Sequence, residues 1–295
     1  MVLEHLFPEK WLEQKARYGF LLGAGYTIVG LTIASVLFPA DPALVAVACT
    51  SLMLLPELYK LFSIEEREEG SAKRFRILSL LKENSDFIRI YLFILLGIFV
   101  VYALAAMILP NLQVNALFRE QLEMRGASGD ASAIVGSARF NSPEANLFSS
   151  IFFNNLWVLI ACFLLSLLTG DGAIFLLTWN ASVWGTIFGV MARNAAIYSH
   201  SNPFYYLGLI LLIVLPHAIL EILAYILAAI SGGMISKDVL LEKFESKRFN
   251  QVFAYNFILF ILALVILFLG AHVETWVLTN IKTYAHIIAQ SYAVA

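Results

Sequence analysis

The sequence predicts an all-α fold, a polytopic transmembrane helix bundle of about seven spans with its N-terminus inside and its C-terminus outside. Three observations carry that prediction. First, of 295 residues 60% are apolar and 14% charged, and mean hydropathy is +0.81. A soluble domain carries about a quarter charged residues, so the apolar surplus exceeds what one soluble core can bury, and lipid is the expected solvent. Second, apolar runs of about 20 residues recur along the chain, the length that crosses a bilayer core of about 30 Å at about 1.5 Å per residue. Third, the Lys and Arg residues fall unevenly between those runs. A formal net charge of −2 gives no basis for nucleic acid binding.

The expected spans are Tyr18–Phe38, Ala43–Phe62, Phe87–Leu109, Leu147–Leu168, Ala173–Met191, Phe204–Ile230 and Val252–Ala271. The first follows a mixed-charge segment, Glu9 to Lys15, and leads into Phe38-Pro39-Ala40-Asp41-Pro42 rather than a small-residue cleavage site, so it reads as an uncleaved span. The second is interrupted by Pro56 and Glu57, which leaves a re-entrant or partly buried helix as its alternative. Placing the N-terminus inside assigns fourteen Lys and Arg to the cytoplasmic side and five (Arg119, Arg125, Arg139, Arg193, Lys282) to the outside. Removing the second span would move the dense Arg67 to Lys82 cluster outside, so the bias supports seven.

Two segments lie between or after the spans. The outer loop 110–146 starts with Leu112, Leu117, Leu122 and Met124 at helical spacing and becomes Gly/Ser/Ala-rich from Gly126 to Gly136, as a short amphipathic helix followed by a mobile stretch would. The tail carries Trp276, Ile281, Tyr284, Ile288 and Tyr292 near one stripe, which fits either an interfacial helix or a frayed end. The organisation expected is a three-span region 1–109, the loop 110–146, a four-span core 147–271 and an interfacial tail 272–295.

Polar side chains at membrane depth are costly and mark structure or function. Asn154 and Asn155 sit near the start of the fourth span, Asn180 within the fifth, and His217 and Glu221 in the sixth after Pro216. His217 and Glu221, four residues apart, share one helical face and can pair. Pro216 frees a carbonyl near Leu212 and predicts a kink there. These groups read as an interhelical clasp, as a binding or conduction site, or as a catalytic pair. The other histidines, His5, His200, His272 and His286, lie near water, and there is no H-E-x-x-H, Walker A or G-x-G-x-x-G motif, so no metal and no cofactor is expected. Cys49 and Cys162 lie in apolar runs and read as small hydrophobes. Gly19 with Gly23, and Gly185 with Gly189, are G-x-x-x-G pairs that point to close helix packing. Gly170-Asp171-Gly172 makes a tight turn that folds the fourth and fifth spans into an antiparallel hairpin.

Asn154-Asn155, Gly170-x-Gly172, Trp179-Asn180-Ala181 and Pro216-His217-Ala218-Ile219-Leu220-Glu221 occur in that order over Leu147 to Ala271. The combination resembles the stage II sporulation protein M family, in particular its archaeal membrane proteins, which the first two spans also resemble. The resemblance implies a shared helical core with the asparagine pair and the His–Glu pair as signature residues. In spore formers it implies a plasma-membrane scaffold that recruits cell-wall-degrading partners. The leading reading is therefore a non-enzymatic scaffold or assembly factor that sits in the lipid bilayer, docks a protein through loop 110–146 and is able to self-associate. A small transporter or channel built on the buried Asn/His/Glu groups is the alternative, and an intramembrane enzyme a remote one.

Overall fold

A computed structural model describes residues 16–69, 84–127, 144–241 and 246–293. Among them lie ten helices: α1 (Tyr18–Leu37), α2 (Pro42–Glu69), α3 (Ser85–Ile108), α4 (Asn111–Leu117), α5 (Arg119–Ala127), α6 (Glu144–Thr169), α7 (Ala173–Tyr198), α8 (Pro203–Leu241), α9 (Lys247–Asn280) and α10 (Lys282–Tyr292). No strand occurs among the described residues. Six helices, α1, α3, α6, α7, α8 and α9, are long and apolar enough to cross a bilayer, whereas the apolar part of α2 is the shorter stretch Pro42–Leu58. Lys10, Lys15, Lys73, Arg74, Arg76, Lys82, Arg139, Lys243, His5 and the Gly/Ser/Ala-rich stretch from residue 128 lie outside the described residues.

α7 is the hub. It is the most enclosed of the six long apolar helices, and α2, α3, α5, α6, α8 and α10 all pack against it. Glycine sets the closest approaches, because a missing Cβ lets two backbones touch. A Cβ on Gly185 would lie 2.6 Å from the Phe99 carbonyl oxygen of α3, and one on Gly189 would lie 2.5 Å from that of Ala103. On the other side of α3, Gly97 meets the α1 backbone at Phe20 and Ala24, while Gly19 and Gly23 of α1 meet α3 at Ile90 and Ile94. Matching residues ascend together in both contacts, so α1, α3 and α7 run parallel. α2 returns the chain between α1 and α3 and packs antiparallel on α1, with Thr50 and the Ala46 carbonyl against Gly30.

α6, α8 and α9 form a second group. Gly232 of α8 lies against the α6 backbone at Phe163 and Leu167, and Gly270 of α9 lies against Leu220 and Glu221 of α8. The turn between α6 and α7 needs a left-handed residue, and Gly170 supplies it with φ 85° while its N–H closes on the Ser166 carbonyl. Pro203 occupies the first position of α8, where no intrahelical N–H is required, and the Asn202 side chain accepts from the Phe204 N–H 2.8 Å away. α8 continues unbroken through Pro216, and α2 through Pro56. Pro216 faces outward, as does Leu212, so the freed carbonyl turns away from the bundle interior instead of opening it.

The segment after α3 begins with two helices, and its buried face differs from the expected stripe. Val114, Phe118 and Gln121 are buried, whereas Leu112 and Met124 are exposed, because α4 and α5 meet at a bend at Phe118 that resets the helical phase. Phe118 packs on Tyr102 of α3 with ring centroids 5.4 Å apart. The tail is also helical. α9 runs on past Ala271 to Asn280, and α10 buries Tyr284, Ile287 and Ile288 largely against α7, while Trp276 stays exposed.

Candidate functional site

α6, α8 and α9 bring three polar side chains together inside the bundle. Asn155 Nδ2 donates to Glu221 Oε1 at 2.9 Å, and Glu221 is also hydrogen-bonded to Glu274 of α9. A carboxyl–carboxyl hydrogen bond needs a proton between the two oxygens, so the two side chains are not both ionised. The contact exists because Gly270 lets α9 close on α8, and Glu274 lies one turn beyond Gly270. Glu221 is 4% exposed. Tyr225, one turn further along α8, is buried close to both carboxyls.

The other expected members take different places. Asn154 donates to Asn155 Oδ1 at 3.3 Å but is exposed on the outer face of α6, since adjacent residues on a helix point about 100° apart. Because α6 begins at Glu144, the asparagine pair also sits near the middle of the helix rather than at its start. Asn180 Nδ2 turns back on its own helix to the Leu176 carbonyl at 2.8 Å and takes no part in the cluster. His217 is 6% exposed and lies one turn before Glu221, yet it makes no hydrogen bond to Glu221, and its Nδ1 has no hydrogen-bond partner. Glu57 is buried close to Tyr26 of α1, remote from this site in the fold.

Sequence reasoning missed Glu274, which the apolar-run boundary at Ala271 placed in the tail. The signal was available in Gly270 and Glu274, four residues apart in a segment with no helix breaker between them. It also missed several polar ties between elements. Arg193 Nη1 donates to the Leu109 carbonyl at the end of α3 at 3.0 Å, and Asn194 Nδ2 to the Ser291 carbonyl of α10 at 3.1 Å. Ser231 of α8 donates to the Asn256 carbonyl of α9 at 2.6 Å, and Gln121 of α5 to Ser182 of α7 at 3.4 Å. At the opposite end from α10, Asp171 in the α6–α7 turn is buried near Lys237 of α8. Burial pushes its carboxyl up to about 6, and the lysine charge opposes that rise. No group of three or more His, Cys, Asp or Glu placed to hold a metal ion occurs among the described residues.

A bundle of long apolar helices whose buried polar groups bond from helix to helix defines a multi-pass integral membrane protein. Residues 87–277 match the family model of stage II sporulation protein M, so the chain belongs to that family. The match takes in α3 as well as α6 to α9. No curated protein and no solved structure matches the chain.

Proposed function

We propose that the chain is a non-enzymatic scaffold or assembly factor of the plasma membrane, crossing it seven times with its N-terminus in the cytoplasm. One observation carries the reading: Asn155, Glu221 and Glu274, from three different helices, are engaged with one another in a clasp centred on the buried Glu221. A transport path would need those groups turned toward an open route. Family membership supports the same reading, and the parallel run of α1 and α3 supports a full return crossing by α2. The outer helices α4 and α5, anchored by Phe118 and Gln121, hold Leu112 and Met124 outward, where a partner protein can reach them.

Affinity capture from membranes tests this. The intact chain is compared with a Leu112→Glu, Met124→Glu double variant, whose changes fall on exposed side chains and should leave the melting temperature nearly unchanged. Loss of specific co-purifying proteins from the variant is the expected result. An identical set from both would count against docking through α4 and α5.

A further inference from the structure

α6 carries two faces of the same period. Ile151, Asn155, Leu159, Cys162 and Ser166 turn into the bundle. Opposite them, Ser150, Asn154, Trp157, Ala161, Leu164 and Leu168 form a seam with alternating steps of four and three residues, and all but Ala161 are exposed. Trp157 is 71% and Leu168 78% exposed. A repeat of 3.5 residues is the spacing with which one helix presents a continuous line of side chains to another.

The seam also contains an amide where lipid offers it nothing. The apolar part of α6 spans Asn146–Thr169, and Asn154 lies about 5 Å from its midpoint at about 1.5 Å per residue. With a hydrocarbon core about 30 Å thick, that position is inside the apolar layer wherever the ends of α6 settle. Asn154 spends one N–H on Asn155, leaving a second N–H and Oδ1 without a partner among the described residues. An amide left so in hydrocarbon is costly.

We propose that this face of α6 is the interface with a second copy of the same chain, closed by a reciprocal Asn154–Asn154 hydrogen bond across a two-fold axis along the membrane normal. The occupant follows from the chemistry. Two copies share one orientation in the bilayer, so their α6 helices pair in parallel and identical residues meet at the same depth. An amide is one of the few side chains that complements itself, offering a donor and an acceptor together. A polar Asn at one position of an otherwise apolar 3.5-residue seam fixes register and the number of partners. Ser150 and Ala161 are small enough to let the two helices approach. The pairing would also join the two clasps into one chain of hydrogen bonds, from Glu274 through Glu221, Asn155 and Asn154 to the same residues of the second copy. The inference requires only that α6 lies in lipid and is independent of the scaffold reading.

The test is self-association in liposomes of neutral phospholipid. Fluorescently labelled chain is counted by stepwise photobleaching across a series of protein-to-lipid ratios. Native chain should shift from one copy to two as the ratio rises, and stop at two. Asn154→Leu should need about three- to thirtyfold more protein per lipid to reach the same dimer fraction, the range for one or two interhelical hydrogen bonds. Asn154→Gln should retain most of the association. Because Asn154 is exposed and the Asn155–Glu221 bond does not depend on it, Asn154→Leu should melt like the native chain. In a background lacking Cys49 and Cys162, Ser150→Cys should crosslink to itself under mild oxidation, while Leu212→Cys, exposed on α8, should not. A single copy at every ratio, a dimer indifferent to Asn154→Leu, or crosslinking at Leu212→Cys as fast as at Ser150→Cys would overturn the proposal.

Discussion

At the scale of single residues, the Glu221–Glu274 pair makes a sharp distinction between shape and charge. Glu221→Ala leaves the half-buried Asn155 amide and Glu274 carboxyl without their partner, a loss of about 1–3 kcal/mol. Glu221→Gln supplies an N–H where the shared proton stood and keeps an oxygen for Asn155, so its effect should stay within about 1 kcal/mol. Thermal unfolding in detergent separates the two; equal losses would mean that the pair is not held by a shared proton. Asp171 gives a prediction with a sign in pH. Its folded carboxyl titrates at about 6, above its ordinary 3.8, so the folded protein holds that proton more tightly than the unfolded chain. The stability it contributes is complete below about pH 4, falls as pH rises to about 6, and is level above. The total change is up to about 3 kcal/mol. Asp171→Asn should flatten that decline in melting temperature, and an unaltered profile would show that another group causes it. The sequence identified Asn155 and Glu221 as buried polar residues, because amides and acids inside apolar runs are conspicuous. It put Asn155 and Glu221 in one interhelical clasp, but set His217 beside Glu221 and missed Glu274, because spacing along one helix nominates only neighbours on that helix. The second carboxyl arrives from α9 through a contact that depends on packing.

At the scale of elements, glycine placement decides how the long helices meet. Gly23 and Gly25 sit two residues apart on α1, but a Cβ on Gly23 collides with the α3 backbone at Ile94, and one on Gly25 meets nothing within 4 Å. Gly23→Ala should therefore cost about 1–3 kcal/mol as α1 is pushed from α3. Gly25→Ala should be neutral or slightly stabilising, since alanine loses less backbone freedom in a helix. Chemical denaturation of both variants in one detergent checks this, and equal behaviour would mean that α1 does not rest on α3 at Gly23. The long helices themselves were legible, because a lipid-facing helix must be apolar over its crossing length. Their ends were not. α8 extends past Ile230 and α9 starts before Val252, with Ser231 bonded to the Asn256 carbonyl, since hydropathy records where lipid ends and not where the helix does. The turn of phase at Phe118 was equally invisible, because a stripe drawn through one helix cannot anticipate a bend between two.

At the scale of the whole molecule, α1 and α3 determine how the chain is threaded. Two parallel helices joined in sequence must be separated by a return, and α2, with 28 residues, measures about 42 Å at about 1.5 Å per residue. Its apolar part ends near Pro56 and Glu57, which is why hydropathy alone ranks it below its neighbours. Glu57 is buried close to Tyr26 of α1, so the bundle and not the lipid receives that acid. This arrangement fixes which turns share a side. Ala40 between α1 and α2 and Asn202 between α7 and α8 should lie together outside, with Asp86 at the start of α3 and Ser246 before α9 together inside. In a background lacking Cys49 and Cys162, a membrane-impermeant maleimide applied to intact cells should label Ala40→Cys and Asn202→Cys. Asp86→Cys and Ser246→Cys should react only after lysis. Labelling of Asp86→Cys from outside would place α1 and α3 antiparallel across the membrane, and both the return through α2 and the seven-fold crossing would fall with it.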